Sequence, residues 1–511
     1  MADSVIVVNA DGPDKRVALI ENGILSELYL ERERARGTVG NVYKGKVLRV
    51  LPGMQAAFVD IGEEKAAFLY AGDIAQPGDD KGDDKPTDGS SIPRRSSKPA
   101  DIATLVRPGQ EILVQVVKDP ISNKGARITS YISLPGRNVV FMPTVSHIGI
   151  SRRIAKERDR RRLRRLVEQM RPKGGGFIVR TVAENATNGQ VRGDMDYLLR
   201  LWANIKANER LHRAPVLLYR DLDLILRVVR DNLSPELDRV ITDDRVQHER
   251  LVRFIEAFMP DYAQRIELYT GREPIFDGYG IEQEIDRALE RKVGLRSGGS
   301  LVFDQGEALT AIDVNTGKFV GSKGKTLEET ITQTNLESAD EIAEQLRLRN
   351  LGGLIIIDFI DMDKESNRRK VYRRLQDALR KDRAKAHITK ISEMGLVEMS
   401  RKRTRESLGR LLTAPCSYCN GKGYTKSPVT IAHDILRQIR REGAHIQGDV
   451  IAVYANPEVA ELMRTDEASA VDETVKRIQR AIEVHSRKGF HMEQFEVKGK
   501  TPGKARGKKD G

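Results

Sequence analysis

The sequence is poor in soft metal ligands and has no membrane signal. Its 511 residues hold two cysteines, Cys416 and Cys419, and eight histidines. Two thiols three positions apart cannot staple a secreted fold of this length, so a disulfide-framed extracellular protein is excluded. No run of 18 apolar residues occurs, which excludes a helical membrane span. The opening MADSVIVVNADGPDKR has no signal-peptide pattern, and a cytoplasmic location is expected. No internal repeat is visible. What the chain has instead is length and positive charge. At this length one core is not enough, and about three to five domains are expected. Hydrophobic residues make up 39%, ample for those cores, while Lys plus Arg number 87 against 74 Asp plus Glu, a net +13. The pI near 9.5 calls for a polyanionic partner, nucleic acid or an anionic membrane surface.

Two acidic motifs carry the chemistry. In ALTAIDVNTGKFVG, residues 308–321, the run Leu309 to Ile312 reads as a strand, and Asp313 and Asn315 then project on the same side near its end. By itself such a pair also fits an Asx turn. In GGLIIIDFIDMD, residues 352–363, Leu354 to Ile357 read as a strand buried on both faces, which Asp358 interrupts; Asp361 falls in the exit loop. A buried carboxylate needs a cation or several hydrogen bonds. Between the motifs, Ile331, Ala339, Ile342, Ala343 and Leu346 have helical spacing, with acids before them and basic residues and a Gly pair after. Strand, helix, strand is a right-handed crossover with adjacent parallel strands, so Asp313, Asn315 and Asp358 are expected to converge. Hard oxygen ligands without histidine favour Mg²⁺ or Mn²⁺ over zinc. Two carboxylates, an amide and Mg²⁺ suit phosphodiester hydrolysis.

The N-terminal third reads as five short strands, three within 41–74 and two in RPGQEILVQVVKDP and ARITSYISL, the pattern of an OB-type barrel. Phe58 and Phe68 are candidate base-stacking residues, with Tyr43, Lys44 and Lys124 nearby, and ordinary core packing is the alternative for both rings. The Gly-, Pro- and Ser-rich stretch between strands three and four reads as a disordered insertion, 76–101. SRRIAKERDRRRLRRLVEQMRPK, residues 151–173, reads as a basic helix with Ile154, Leu163, Leu166, Val167 and Met170 on its packing side. Its arginines suit a phosphate backbone or simply a solvated face. Arg180 and Thr181, ending a short apolar strand, have the chemistry of a phosphate clamp. APCSYCNGKG has zinc-knuckle spacing, and since zinc takes four ligands, two chains would supply four thiolates; a redox pair is the alternative.

Taken in order, NVYKGKV, AAFVDIG, NKGARIT, GISRRI, IVRT, LYTG, ALTAIDVN, TNLESADEIAEQLRLRNLGGLIIIDFIDM, GLVEMSRKR and the closing CxxC resemble the bacterial ribonuclease E/G family over nearly the whole chain. VYANPEVAELM and EQFEV look nearer its ribonuclease G branch. The resemblance implies a multidomain α/β and β architecture: an RNase H-like subdomain from 1–37 and 226–289, structural only, and an S1 (OB-fold) RNA-binding domain over 38–130. It further implies a 5′-phosphate sensor region over 131–225, a DNase I-like catalytic subdomain over 290–412, a zinc-link at 413–427 and a small C-terminal α/β domain with a basic tail, 428–511. The implied activity is Mg²⁺-dependent endoribonuclease cleavage of single-stranded RNA, rRNA precursors and mRNA, stimulated by a 5′-monophosphate. Asp313 and Asp358 would hold Mg²⁺, with Asn315 placing phosphate or water; Phe58, Phe68 and Lys124 would contact RNA. Gly136, Val140, Arg180 and Thr181 would line the sensor, with Lys385 standing where the family pattern has arginine. Cys416 and Cys419 would share one Zn²⁺ between two chains of a homodimer, or a dimer of dimers, although Pro415 here precedes the first cysteine instead of following it. A non-catalytic RNA- or ribosome-binding protein on the same scaffold is the alternative, and it would need a lost catalytic carboxylate. A deoxyribonuclease fits the single-strand barrel less well.

Overall fold

The computed structural model describes residues 4–32, 37–75, 101–120, 125–317 and 326–501. Lys124, most of the expected insertion and the C-terminal basic tail lie outside the described residues. Asp101, assigned by sequence to that insertion, instead caps the short helix Ile102–Leu105 by accepting from the Ala103 N–H. The chain divides into two compact units, 1–409 and 410–511.

The chemistry-bearing sheet of the first unit has six strands in the order Lys292–Gly294, Ser300–Gln305, Leu309–Asn315, Gly353–Asp358, Leu396–Arg401, Ala386–Ile388. Leu309–Asn315 and Gly353–Asp358 pair in parallel, joined by the helix Leu327–Leu348. Thr326 and Glu329 form a capping box at the helix start, which satisfies two otherwise orphaned N–H groups. Ala339, Ile342 and Leu346 pack on Ile312, Ile355 and Ile357, with Val371 and Leu375 from the helix Glu365–Leu379 beside them. Each such buried aliphatic side chain stabilises the fold by roughly 1.5–3 kcal/mol. The helices cover only one face. Thr310, Ile312 and Val314 point into the core, whereas Leu309, Ala311, Asp313 and Asn315 point out. The same alternation corrects the reading of Leu354 to Ile357 as a strand buried on both faces: Leu354 is 48% exposed and Asp358 is exposed on the open side. Asp358 is therefore not enclosed on both sides, and full burial is not what calls for a partner there.

Segments far apart in sequence meet in a second sheet, ordered Ile266–Leu268, Arg239–Thr242, Ser4–Asn9, Asp14–Glu21, Ile24–Arg32. It is tied to the helix Leu327–Leu348 by Arg347, whose guanidinium donates to Glu21 at 2.8 and 3.1 Å and to Glu27 at 3.1 Å in a nearly closed pocket. Charge-assisted hydrogen bonds of this kind are the strong ones, and a buried guanidinium left without them would be strongly destabilising.

The expected five-stranded barrel is present. Val42–Leu51, Ala56–Asp60, Ala67–Tyr70, Arg127–Thr129 and Glu111–Lys118 follow one another, and the last pairs back with the first. A sixth strand, Val216–Tyr219, adds beside Val42 and was not visible in the sequence. A four-stranded sheet, Ile148–Ile150, Gly176–Val179, Val139–Met142 and Leu134–Pro135, packs on the helices Glu157–Met170 and Asn188–Leu211. In the second unit, Val450–Ala455 lies between Ala481–Ser486, parallel to it, and Phe495–Lys500, antiparallel, with Pro428–Glu442, Pro457–Arg464 and Ala468–Ile478 as its helices. Among the described residues no helix is long and apolar enough to cross a membrane.

Candidate functional site

Parallel register sets Asp313 directly beside Asp358. Neighbouring strands lie about 4.8 Å apart, so two like charges share one edge of the open face. Asn315, two residues along, donates its Nδ2 to Asp313 Oδ2 at 2.7 Å and brings the amide into the same cluster. Partial burial pushes the Asp358 carboxyl above the usual range, and the charges of Asp313 and Asp361 add to that. A nearby cation would relieve such repulsion.

The loop after Asp358 is fixed by groups that sequence reading missed. Asn335, fully buried in the helix Leu327–Leu348, donates to the Ile360 carbonyl at 2.8 Å and accepts from the Ile360 N–H at 3.1 Å. Glu328 accepts from the Asp363 and Lys364 N–H groups and from Asn367 Nδ2. Polar residues in an amphipathic helix read as solvent-facing, and only the paired backbone geometry reveals their use.

On the barrel, Phe58 and Phe68 are cross-strand partners, half-exposed, with ring centroids 5.6 Å apart edge to face. They are not core residues. Tyr70 continues the row, its ring 4.4 Å from Phe68, and the Arg127 guanidinium lies 4.9 Å over it while bonded to Asp73. Tyr70 ends its strand with an exposed aromatic, a signal the sequence did carry. Tyr43 is buried with its hydroxyl donating to Glu63, and Lys44 is tied to Glu111, so neither joins this face.

The expected sensor residues gather around Arg180. Its Nη1 donates to the Gly136 carbonyl at 2.7 Å and to Asp231 at 2.8 Å. Burial pushes the Asp231 carboxyl up, but Arg180 and Arg230 outweigh it and hold the group below the usual range. Thr181 Oγ1 meets Ser151 Oγ at 2.7 Å, and Val140 pairs with Ile178 one strand away. Buried Asp194, another residue missed in the sequence, accepts from the N–H groups of Arg137, Asn138 and Val139. A Cβ at Gly136 would collide with that carboxylate, so the closest approach needs glycine there. Burial pushes Asp194 up to about 6 although those three donors pull it down. Lys385 stands on a separate segment, two residues after Arg383, whose carbonyl accepts from Arg153 at 3.3 Å.

In the second unit Cys416 is exposed and Cys419 half-exposed. The Gly423 N–H donates to Cys419 Sγ at 3.2 Å, and the N–H groups of Cys419 and Tyr418 hold the Cys416 thiol below its usual range. No group of three or more His, Cys, Asp or Glu placed to hold a metal occurs among the described residues.

The fold is that of a multidomain α/β protein, with two carboxylates paired at the ends of adjacent parallel strands. The profile of the Ribonuclease E/G family matches residues 133–404, and that of the RNase E/G thioredoxin-like domain matches 415–500. Ribonuclease G of Escherichia coli (strain K12) is 46% identical over 492 residues, 96% of this chain and 99% of the relative. Ribonuclease G of Haemophilus influenzae is 43% identical over 96% of this chain and 98% of its own length. Ribonuclease E of Escherichia coli (strain K12) is 38% identical over 91% of this chain but only 43% of its own length. The chain belongs to the ribonuclease E/G family.

Since Asp361 is one of the charges raising Asp358, Asp361→Asn should lower the Asp358 pKa. Carboxyl NMR titration of aspartate-labelled protein reads this directly. An unchanged or higher value would break the proposed coupling.

Proposed function

We propose that this chain is a divalent-metal-dependent endoribonuclease of ribonuclease G type, hydrolysing single-stranded RNA, stimulated by a 5′-monophosphate and serving rRNA processing and mRNA decay in the cytoplasm. The observation that carries the reading is the register of Asp313 against Asp358, within the span matched by the family profile.

The donor set suits Mg²⁺ or Mn²⁺. Two oxygen ligands with mutual repulsion are what such an ion relieves, and Mg²⁺ commonly takes one or two carboxylates and fills its shell with water and phosphate. Asp313 and Asp358 would hold it. When bound there, the ion would supply Lewis acidity and a more acidic water. Asn315 orients the Asp313 carboxylate through its amide and leaves its carbonyl oxygen free to position water or phosphate. Asn335 and Glu328 keep the following loop from drifting, which preserves the placement of Asp358. Phe58 and Phe68, with Lys124, would form the RNA-stacking face of an S1 (OB-fold) barrel. Gly136, Val140, Arg180 and Thr181, with Lys385, would receive the 5′-phosphate, the phosphate displacing Asp231 from Arg180. We read 290–412 as DNase I-like and the sheet from the chain's start and 226–289 as RNase H-like, without catalysis.

One assay tests the reading: cleavage of 5′-monophosphorylated and 5′-hydroxyl oligoribonucleotides in Mg²⁺ and in EDTA. Asp313→Asn and Asp358→Asn should each lower the rate by several orders of magnitude while RNA affinity holds. Products should carry 5′-phosphate and 3′-hydroxyl ends. Arg180→Ala should abolish the preference for the monophosphate. Near-normal cleavage by either Asp variant, or 2′,3′-cyclic phosphate products, would overturn the assignment.

Cys416 and Cys419 would share one Zn²⁺ between two chains, since they are the only thiols and zinc takes four ligands. The assembly would be a homodimer or a dimer of dimers. Metal analysis should find about half an equivalent of zinc per chain, and replacing both cysteines by serine should shift light scattering toward monomer. A full equivalent per chain, or a serine variant that stays dimeric, would contradict a shared site.

A further inference from the structure

Residues 151–173 hold nine arginines and two lysines against three acids, a surplus of eight out of the chain's net +13. The helix Glu157–Met170 at its centre buries Leu163, Leu166 and Val167 against the core. Opposite that stripe, Arg158, Arg161 and Arg165 fall on one exposed ridge, spaced i, i+3, i+7 and spanning about 10 Å at the helical rise. Not all arginines of the segment are equivalent. Arg160 donates to the carbonyls of Ser151 and Ile154, and Arg162 to those of Glu184 and Ala186, so these two fasten the helix to its neighbours. The guanidinium groups of Arg158, Arg164 and Arg165 make no ion pair or hydrogen bond among the described residues, and Arg161 reaches Glu157 only at 3.6 Å. Cations crowded on one face repel one another. A helix that keeps three of them there with a single acidic partner, Glu157 beside Arg161, is prepared for an external polyanion.

We propose that this ridge is an RNA-binding surface separate from the catalytic sheet and the aromatic barrel, gripping the phosphate backbone beside the Arg180–Thr181 element. Two observations favour RNA over an anionic membrane. The helix exposes no large apolar side chain for insertion into lipid, because its apolar stripe is already used in the core. It is also fastened through Arg160 to Ser151, whose hydroxyl bonds Thr181, so the ridge is built onto the element expected to meet the RNA 5′ end. The inference rests on RNA being the substrate class and on the Arg180–Thr181 element meeting RNA, and not on the metal.

The test therefore measures binding without cleavage, using a 5′-hydroxyl oligoribonucleotide in EDTA, its integrity checked on a gel. In the triple variant Arg158→Gln, Arg161→Gln, Arg165→Gln, losing three phosphate contacts should reduce the slope of log Kd against log salt by about 2. Affinity at low salt should fall by an order of magnitude or more. The matching triple Lys variant should bind within a few-fold of the parent, since the surface works through charge; a loss equal to that of the Gln variant would mean a packing role and overturn the proposal. All three side chains are exposed, so melting temperatures should be unchanged. An unchanged salt slope in the Gln variant would refute the surface. So would loss of sedimentation with phosphatidylglycerol vesicles while RNA binding persists, which would assign the ridge to a membrane.

Discussion

Two carboxylates held in register across a parallel strand pair are the constraint on which the rest of this structure depends. Asp313 and Asp358 repel one another, and the backbone ladder that pairs their strands keeps their Cα atoms side by side. The fold accepts that repulsion because the opposite face of the sheet is packed by two helices and cannot yield. The same helix that makes the crossover also fixes the loop beyond Asp358 through Asn335 and Glu328. One element thus sets both the parallel pairing and the position of the acid it creates.

Around this centre the chain keeps its polar contacts on separate, individually braced surfaces. The Arg347 guanidinium, buried between Glu21 and Glu27, locks the helix against a sheet made from the chain's start and its middle. The Phe58, Phe68 and Tyr70 row lies on the inner strands of the barrel, both of which are paired on each side. Arg180 donates to the Gly136 carbonyl, and the three N–H groups that follow, Arg137 to Val139, are held by Asp194. Rigid support with exposed chemistry is the common arrangement, and it suits a substrate that is long, flexible and must be held at several points.

The crossover unit was legible in the sequence because its two periodicities, two in the strands and 3.6 in the helix, follow directly from apolar spacing at Ile312, Ile342, Leu346 and Ile355. So was the meeting of Asp313, Asn315 and Asp358. The open face was not, since the unbroken run Leu354 to Ile357 reads as buried on both sides and nothing local distinguishes a covered face from a bare one. The first three barrel strands were marked by Pro-Gly and Gly-Glu turns and the other two by continuing alternation, whereas Val216–Tyr219, four half-buried residues between loops, carries none to read. Asp194 and Asn335 were invisible for a different reason. Their worth lies entirely in backbone groups far away in sequence, and a helix pattern scores them only as polar.

We propose that the Asp313–Asp358 pair is a divalent-cation site. Crystals of the full chain grown with Mn²⁺ and measured at the manganese absorption edge test it most directly. One anomalous peak in contact with carboxylate oxygens of both Asp313 and Asp358 is expected. A peak that touches neither residue, or saturating manganese with no density between them, would contradict it.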